Sequence, residues 1–188
     1  MAYNSVSILE FAKERIESIH TSYINSSATD SDYGSLKLCY TQIEERKKHY
    51  GDDESIQLLC KIMSEVCGYI SLTEGEYVKQ YIRTCIQSKT VLLRRVGLKV
   101  LRESSLYSAD EKFELGLSEA RLNSLFEKEQ IFLLASSIFD EISTNNQEKL
   151  LFKIKNMDKR GDEQTQAYEM FNWAVWLNRN CKENDTKR

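Results

Sequence analysis

Apolar side chains recur along this chain at steps of three and four, the spacing that lays one stripe along an α-helix. Leu9, Ala12, Ile16, Ile19 and Tyr23 make the first such stripe, with Glu10, Lys13, Glu14 and Glu17 outside it, and predict a helix over residues 5–24. Residues 25–32 are rich in Ser and Asp, have no period and read as a loop. A second helix carries Leu36, Cys39, Tyr40 and Ile43 and ends at Gly51, Asp52 and Asp53. A third carries Ile56, Leu59, Met63, Val66 and Ile70, with Cys60 and Cys67 beside them. Thr73 with Glu76 has capping-box spacing, which predicts the start of a fourth helix through Val78, Tyr81, Ile82 and Cys85.

The fifth helix, residues 89–103, turns Leu93, Val96, Gly97, Val100 and Leu101 to one side and Arg95, Lys99 and Arg102 to the other. A glycine inside an apolar helical face costs about 1 kcal/mol of propensity, so Gly97 predicts close approach by a neighbouring helix. Ser108 and Glu111 repeat the capping-box pattern ahead of Phe113 and Leu117, and Leu122, Leu125 and Phe126 follow. A longer helix carries Ile131, Leu134, Ala135, Ile138 and Ile142, residues 143–146 break it, and a short helix carries Leu150, Leu151 and Ile154. Gly161 and Asp162 introduce the last helix. There Ala167, Met170, Phe171 and Ala174 form one stripe, while Tyr168, Trp173, Val175 and Trp176 spread over the remaining circumference. A helix so apolar all round is buried between layers or covered by something.

Eight or nine helices follow from these stripes, and the chain contains no proline, the residue that most often ends a helix. The expected class is all-α, arranged as a HEAT-like stack of helical hairpins or as an irregular bundle. The helices of Ile56, Leu93 and Leu134 recur at close to the forty-residue period of HEAT-like arrays, which favours the stack. Residues 1–178 are expected to form a single helical domain, with 179–188 a polar tail.

Composition narrows the function classes. The 188 residues are 41% hydrophobic and 29% charged, with a net charge of −3, which argues against a nucleic-acid partner. The first twenty residues hold Glu10, Lys13, Glu14, Arg15 and Glu17, and no run approaches the roughly 18 apolar residues of a membrane span, so the expected setting is cytoplasmic. Five cysteines, Cys39, Cys60, Cys67, Cys85 and Cys181, form no C-x-x-C pair and read as reduced thiols, Cys60 and Cys67 as core residues.

Candidate chemistry is sparse, and no catalytic, metal or cofactor site is expected. His20 and His49 lie on different helices with no ligand-spaced partner. The pairs Glu44–Glu45, Asp52–Asp53 and Glu127/Glu129 stand in polar contexts that do not shift a carboxyl toward acid–base work, and no serine sits in a G-x-S-x-G elbow. The strongest candidate surface is the basic face of Arg95, Lys99 and Arg102, extended by Lys89 and Arg94, where residues 89–103 carry a net +4. Residues 108–148 hold nine acidic and three basic side chains, so contact between the two stretches explains the charge as well as a partner does. Trp176, with Trp173 behind it, is the second candidate, for a partner or for self-association through the C-terminal helix.

The strings 92-LLRRVGLKVL-101, 129-EQIFLL-134, 150-LLFKI-154 and 168-YEMFNWAVWL-177 resemble a helical-repeat region of large bacterial antiphage proteins, where it follows a STAND-type NTPase or SIR2-like domain. The resemblance covers residues 90–178 and implies a sensor or scaffold whose catalysis lies elsewhere. This chain has no G-x-x-x-x-G-K-[ST] or G-x-G-x-x-G motif. The expected function is therefore a non-catalytic protein-interaction or sensor module of an antiphage system, without a cofactor. The alternative is a cytoplasmic immunity or antitoxin protein that occludes a basic toxin.

Overall fold

Every regular element among the described residues is an α-helix, eight in all. The computed structural model describes residues 2–26, 43–44, 54–122, 124, 126–157 and 163–185. The expected second helix, apart from Ile43, lies outside them, as do Cys39 and His49. The chain folds as two compact units, Met1–Leu106 and Tyr107–Arg188; the sequence pattern marks no boundary at that point.

The first unit contains α1 (Ala2–Ser26), α2 (Glu54–Ile70), α3 (Gly75–Ile86) and α4 (Val91–Glu103). Helix α1 buries Leu9, Ala12 and Ile16 of the expected stripe, leaves Ile19 half-buried, and packs chiefly on α2; the Tyr23 side chain lies outside the described ones. On α2 the buried line is Ile56, Cys60, Met63, Cys67 and Ile70, alternating steps of four and three. Leu59 and Val66 flank it half-buried, so the two thiols occupy its centre. Helix α3 buries Val78, Tyr81, Ile82 and Cys85. The Tyr81 hydroxyl donates to the Leu9 carbonyl at 2.9 Å and the Tyr77 hydroxyl to Glu10 at 2.5 Å, which ties α3 to α1.

The capping box expected at Thr73 and Glu76 does not form. Helix α3 starts at Gly75 with Glu74 at its N-cap and no side-chain cap. The link from α2 is short, and the Ile70 carbonyl accepts from the backbone N–H groups of Thr73 (3.1 Å) and Glu74 (2.7 Å) and from the Thr73 hydroxyl (3.4 Å). That hydroxyl therefore closes the helix behind it instead of opening the one ahead.

The second unit contains α5 (Ala109–Gly116), α6 (Lys128–Ile138), α7 (Thr144–Lys155) and α8 (Glu163–Asp185). Here the capping box is present: the Ser108 hydroxyl accepts from the Glu111 N–H at 3.3 Å, and the Glu111 carboxylate accepts from the Ser108 N–H at 2.8 Å. Phe113, Leu117, Ile131, Leu134, Leu150 and Trp173 make the centre of the core. Leu151, expected inside with Leu150 and Ile154, is exposed: at about 100° per residue it lies off the line of Leu150 and Ile154, one turn apart, that faces the core.

Helix α4 is buried on most sides, through Leu92, Leu93, Arg95, Val96, Gly97, Leu98, Val100 and Leu101. Its close neighbour is α3, and Gly97 is where they meet. A Cβ added there would lie 2.9 Å from Ile86 Cγ1, 3.0 Å from Cys85 Cβ and 3.0 Å from the Ile86 backbone nitrogen. Two of those three atoms cannot rotate away. Gly97→Ala would gain about 1 kcal/mol of helix propensity, but overpacking of this kind costs about 1–3 kcal/mol. The expected outcome is a net loss of stability of about 1 kcal/mol for Gly97→Ala and a larger loss for Gly97→Val, measured by denaturant unfolding. A stabilised Gly97→Ala would show that α3 and α4 are not in contact at this residue.

Candidate interaction surface

Of the expected basic face, Arg94, Lys99 and Arg102 are engaged within the first unit, and Lys89 is exposed. Arg95 is buried, at 4% exposure. Burial pushes the Cys60 thiol up to about 12, although Arg95 and Lys99 both pull it down. Arg94 donates to the carbonyls of Ser88 at 2.9 Å and Lys89 at 3.0 Å. Lys99 Nζ donates to the Ile43 carbonyl at 2.9 Å and stands 3.9 Å from Glu44. Arg102 forms a fork on Glu44, with Nη1 and Nη2 at 3.2 and 3.1 Å from its two carboxylate oxygens, and Nη2 also reaches Glu103 at 2.9 Å. Burial opposes the Arg102 charge, yet the hydrogen bonds and charges of Glu44 and then Glu103 outweigh it and hold the guanidinium more firmly protonated. Both acidic partners of Arg102 belong to the first unit, so residues 108–148 are not needed to balance it. The signal of Glu44 in the sequence is an ordinary Glu-Glu pair among charged neighbours, which carries no address for α4.

The tryptophans turn inward. Trp173 is fully buried against Phe132 of α6, ring centroids 4.1 Å apart, and Trp176 is half-buried and stacks on the same ring at 5.5 Å and 7°. Lys128 Nζ sits 5.5 Å from the centroid of that Phe132 ring and pairs with Glu169. With Trp173 and Leu177 buried, α8 is rotated relative to the expected stripe. Ala167, Met170, Phe171 and Ala174 all face outward, and Tyr168 with them. Phe171 and Tyr168 are each 64% exposed. The reason is volume: the two indoles bury more apolar area than the two alanines and their neighbours, so the helix turns its largest rings to Phe132.

A groove of about 560 Å³ runs between α5 and α7. Phe113 is its buried floor, and Asn145, Glu148, Lys149 and Phe152 share one face of α7 at helical spacing along its side. Glu114, Ser118 and Glu119 line the opposite side. Both lysines of the groove are committed. Lys149 pairs with Glu114 at 3.2 Å. Lys153 Nζ donates to the carbonyls of Leu117 at 3.0 Å, Ser118, and Ala120 at 3.2 Å, closing the C-terminal end of α5. Burial lowers the Lys153 ammonium's hold on its proton and the charge of Glu119 works against that. Phe152 stays 68% exposed.

One carboxylate holds α5 and α7 together at the other end. Asp110 Oδ1 accepts from the Ser143 N–H at 2.9 Å, the Ser143 hydroxyl at 2.9 Å and the Asn146 amide at 2.7 Å. Ser143 is the N-cap of α7, and its hydroxyl serves Asp110 instead of its own helix. The backbone hydrogen bond from Ser143 first, then those from the Asn146 and Ser143 side chains, keep the Asp110 carboxyl below the usual carboxylate range. In the sequence Asp110 is simply an acidic residue in the first turn of a capped helix, and its partners lie more than thirty residues on.

Among the described residues there is no group of three or more His, Cys, Asp or Glu side chains placed to hold a metal ion, and no helix long and apolar enough to cross a membrane. The Cys60, Cys67 and Cys85 thiols are free and buried, each pushed up to about 12 chiefly by burial, which leaves almost no thiolate for nucleophilic work. Compared with known proteins, the chain matches no family model, no curated sequence and no solved structure.

Removing the Arg102 fork should cost stability, because Glu44 is left part-buried without it. Arg102→Ala is expected to lower the unfolding free energy by about 1.5–3 kcal/mol, the range for hydrogen bonds to charged groups. Urea unfolding reads the loss, and an unchanged midpoint would reduce the fork to a solvated surface pair.

The depressed Asp110 carboxyl sets a pH dependence. Its native-state value lies below its unfolded one, so the stabilisation is fully present above the ordinary carboxylate value of about 3.9 and is lost as pH falls through the lower native value. The stability gap between the wild type and Asp110→Asn is therefore expected to be constant near neutrality and to close below pH ~4. A gap that stays the same down to full acid unfolding would remove the ionised carboxylate from the α5–α7 contact.

Proposed function

We propose that the chain is a non-catalytic helical protein-interaction or sensor module, working in the cytoplasm by recognition and not by chemistry. The observation that carries this reading is the outward face of α8, where Tyr168, Met170 and Phe171 stand exposed beside Ala167 and Ala174. Large rings lined up on one exposed helical face provide the apolar anchors on which interfaces depend. The buried thiols and the engaged cations of α4 support the same reading, since neither offers a reactive group. A HEAT-like stacking of the helices and a place in an antiphage system follow from the sequence resemblance of residues 90–178. The partner-binding role that the sequence suggests for Trp173 and Trp176 passes, in this proposal, to the face they leave outward.

A second reading, an immunity or antitoxin protein occluding a basic toxin, is favoured by the acidic stretch 108–148, whose Glu119 and Glu148 lie at the α5–α7 groove.

The test is affinity capture from cells with and without phage infection, using the wild type and Phe171→Asp. The expected result is one stoichiometric protein retained by the wild type and lost with Phe171→Asp, at a thermal midpoint unchanged because the ring is exposed in the native state. Equal capture by both would move the interface off α8, and a large fall in the midpoint would make Phe171 a core residue.

A further inference from the structure

We infer that the groove between α5 and α7 is a docking cleft for an arginine-bearing basic segment of a partner protein, with the guanidinium held by Glu119 and Glu148 against the exposed ring of Phe152. This deepens the proposed interaction function and rests on it.

Charge and shape decide the occupant. The volume of about 560 Å³ lies within the roughly 300–1,000 Å³ of ligand-binding clefts. Its floor, Phe113, is apolar and already fully buried, while its rim ring, Phe152, is exposed, so an occupant with an apolar stem gains burial on Phe152. The lysines do not set the sign of the cleft. Lys153 is spent on three backbone carbonyls and Lys149 on Glu114. Glu119 and Glu148 are exposed carboxylates on opposite sides of the same groove; neither stands within 4.0 Å of a cation among the described residues, and the Glu119 charge acts on Lys153 only at longer range. Asn145 adds an amide beside them. An acidic segment would meet two carboxylates of its own sign, and a purely apolar one would have to desolvate them unpaired. An arginine side chain satisfies both features: methylenes and a planar cation against the exposed Phe152 ring, and forked donors for the carboxylates.

The rigid ends of the groove favour this use. Asp110 with Ser143 and Asn146 ties α5 to α7 at one end, and Lys153 closes α5 at the other, so the cleft walls are held by bonds that do not use Glu119, Glu148 or Phe152.

The experiment is a titration of the full chain, observed by its backbone amide resonances, with the acetylated and amidated hexapeptide (Arg-Leu)3, and in parallel with (Glu-Leu)3. The expected result is saturable shifts confined to residues 113–119 and 145–153 with the arginine peptide alone. Glu119→Gln combined with Glu148→Gln should weaken binding about tenfold or more, and raised salt should weaken the wild type but not the variant. Phe152→Ala, also at an exposed position, should weaken binding without the salt effect changing. Absence of saturable shifts at these residues, equal shifts with (Glu-Leu)3, or unchanged affinity in the double variant would each overturn the proposal. If the peptide fails here while Phe171→Asp still abolishes partner capture, the cleft is removed and the interaction module stands. If both fail, both readings fall.

Discussion

A helix buried on most sides carries cations at a desolvation cost that acceptors offset, and on α4 Lys99 and Arg102 each meet one. That cost shapes the first unit. The Ile43 carbonyl and the Glu44 carboxylate are brought to α4 to answer Lys99 and Arg102, so a segment fifty-six residues upstream of Lys99 is fixed in place by charge. Close packing supplies the other half of the constraint. Gly97 admits the backbone of α3, and Tyr77 and Tyr81 then carry α3 onto α1 through hydrogen bonds to Glu10 and Leu9. Lys99 and Arg102 are thus structural devices, committed within the first unit.

The second unit obeys the same rule with the signs exchanged. Asp110 is an anion answered by one backbone N–H, a hydroxyl and an amide, all from the start of α7. Lys153 is a cation answered by the carbonyls that α5 and its following turn leave open. Together they clamp α5 and α7 at both ends of the groove without drawing on Glu119, Glu148 or Phe152. Aromatic packing settles α8: Phe132 receives both indoles, and Tyr168, Met170 and Phe171 are left to the outside.

The proposed interaction role needs groups that the fold does not use. In this chain those groups are the outward rings of α8 and the carboxylates of the α5–α7 groove, one surface apolar and the other acidic. The two are different in kind, so under the proposed role they would select for different features of a partner, an apolar anchor and a basic side chain.

Helical class, the main stripes of α1 to α7 and the burial of Cys60 and Cys67 were legible in the sequence, because a 3.6-residue period needs only local information. Gly97 was legible too, as a residue too costly inside a helix unless a neighbour comes close, and so was the Ser108–Glu111 cap. The cap at Thr73 was misread because the same hydroxyl can close one helix or open the next, and the short link to α2 decides which. On α8 periodicity was ambiguous, since apolar residues lie on all sides, and only the position of Phe132 chose the indole face. The charges of α4 and α5 were visible as residues but not as pairs. Glu44 and Asn146 meet their partners across tens of residues, and such contacts follow from how the helices pack, a property that no local pattern of side chains encodes.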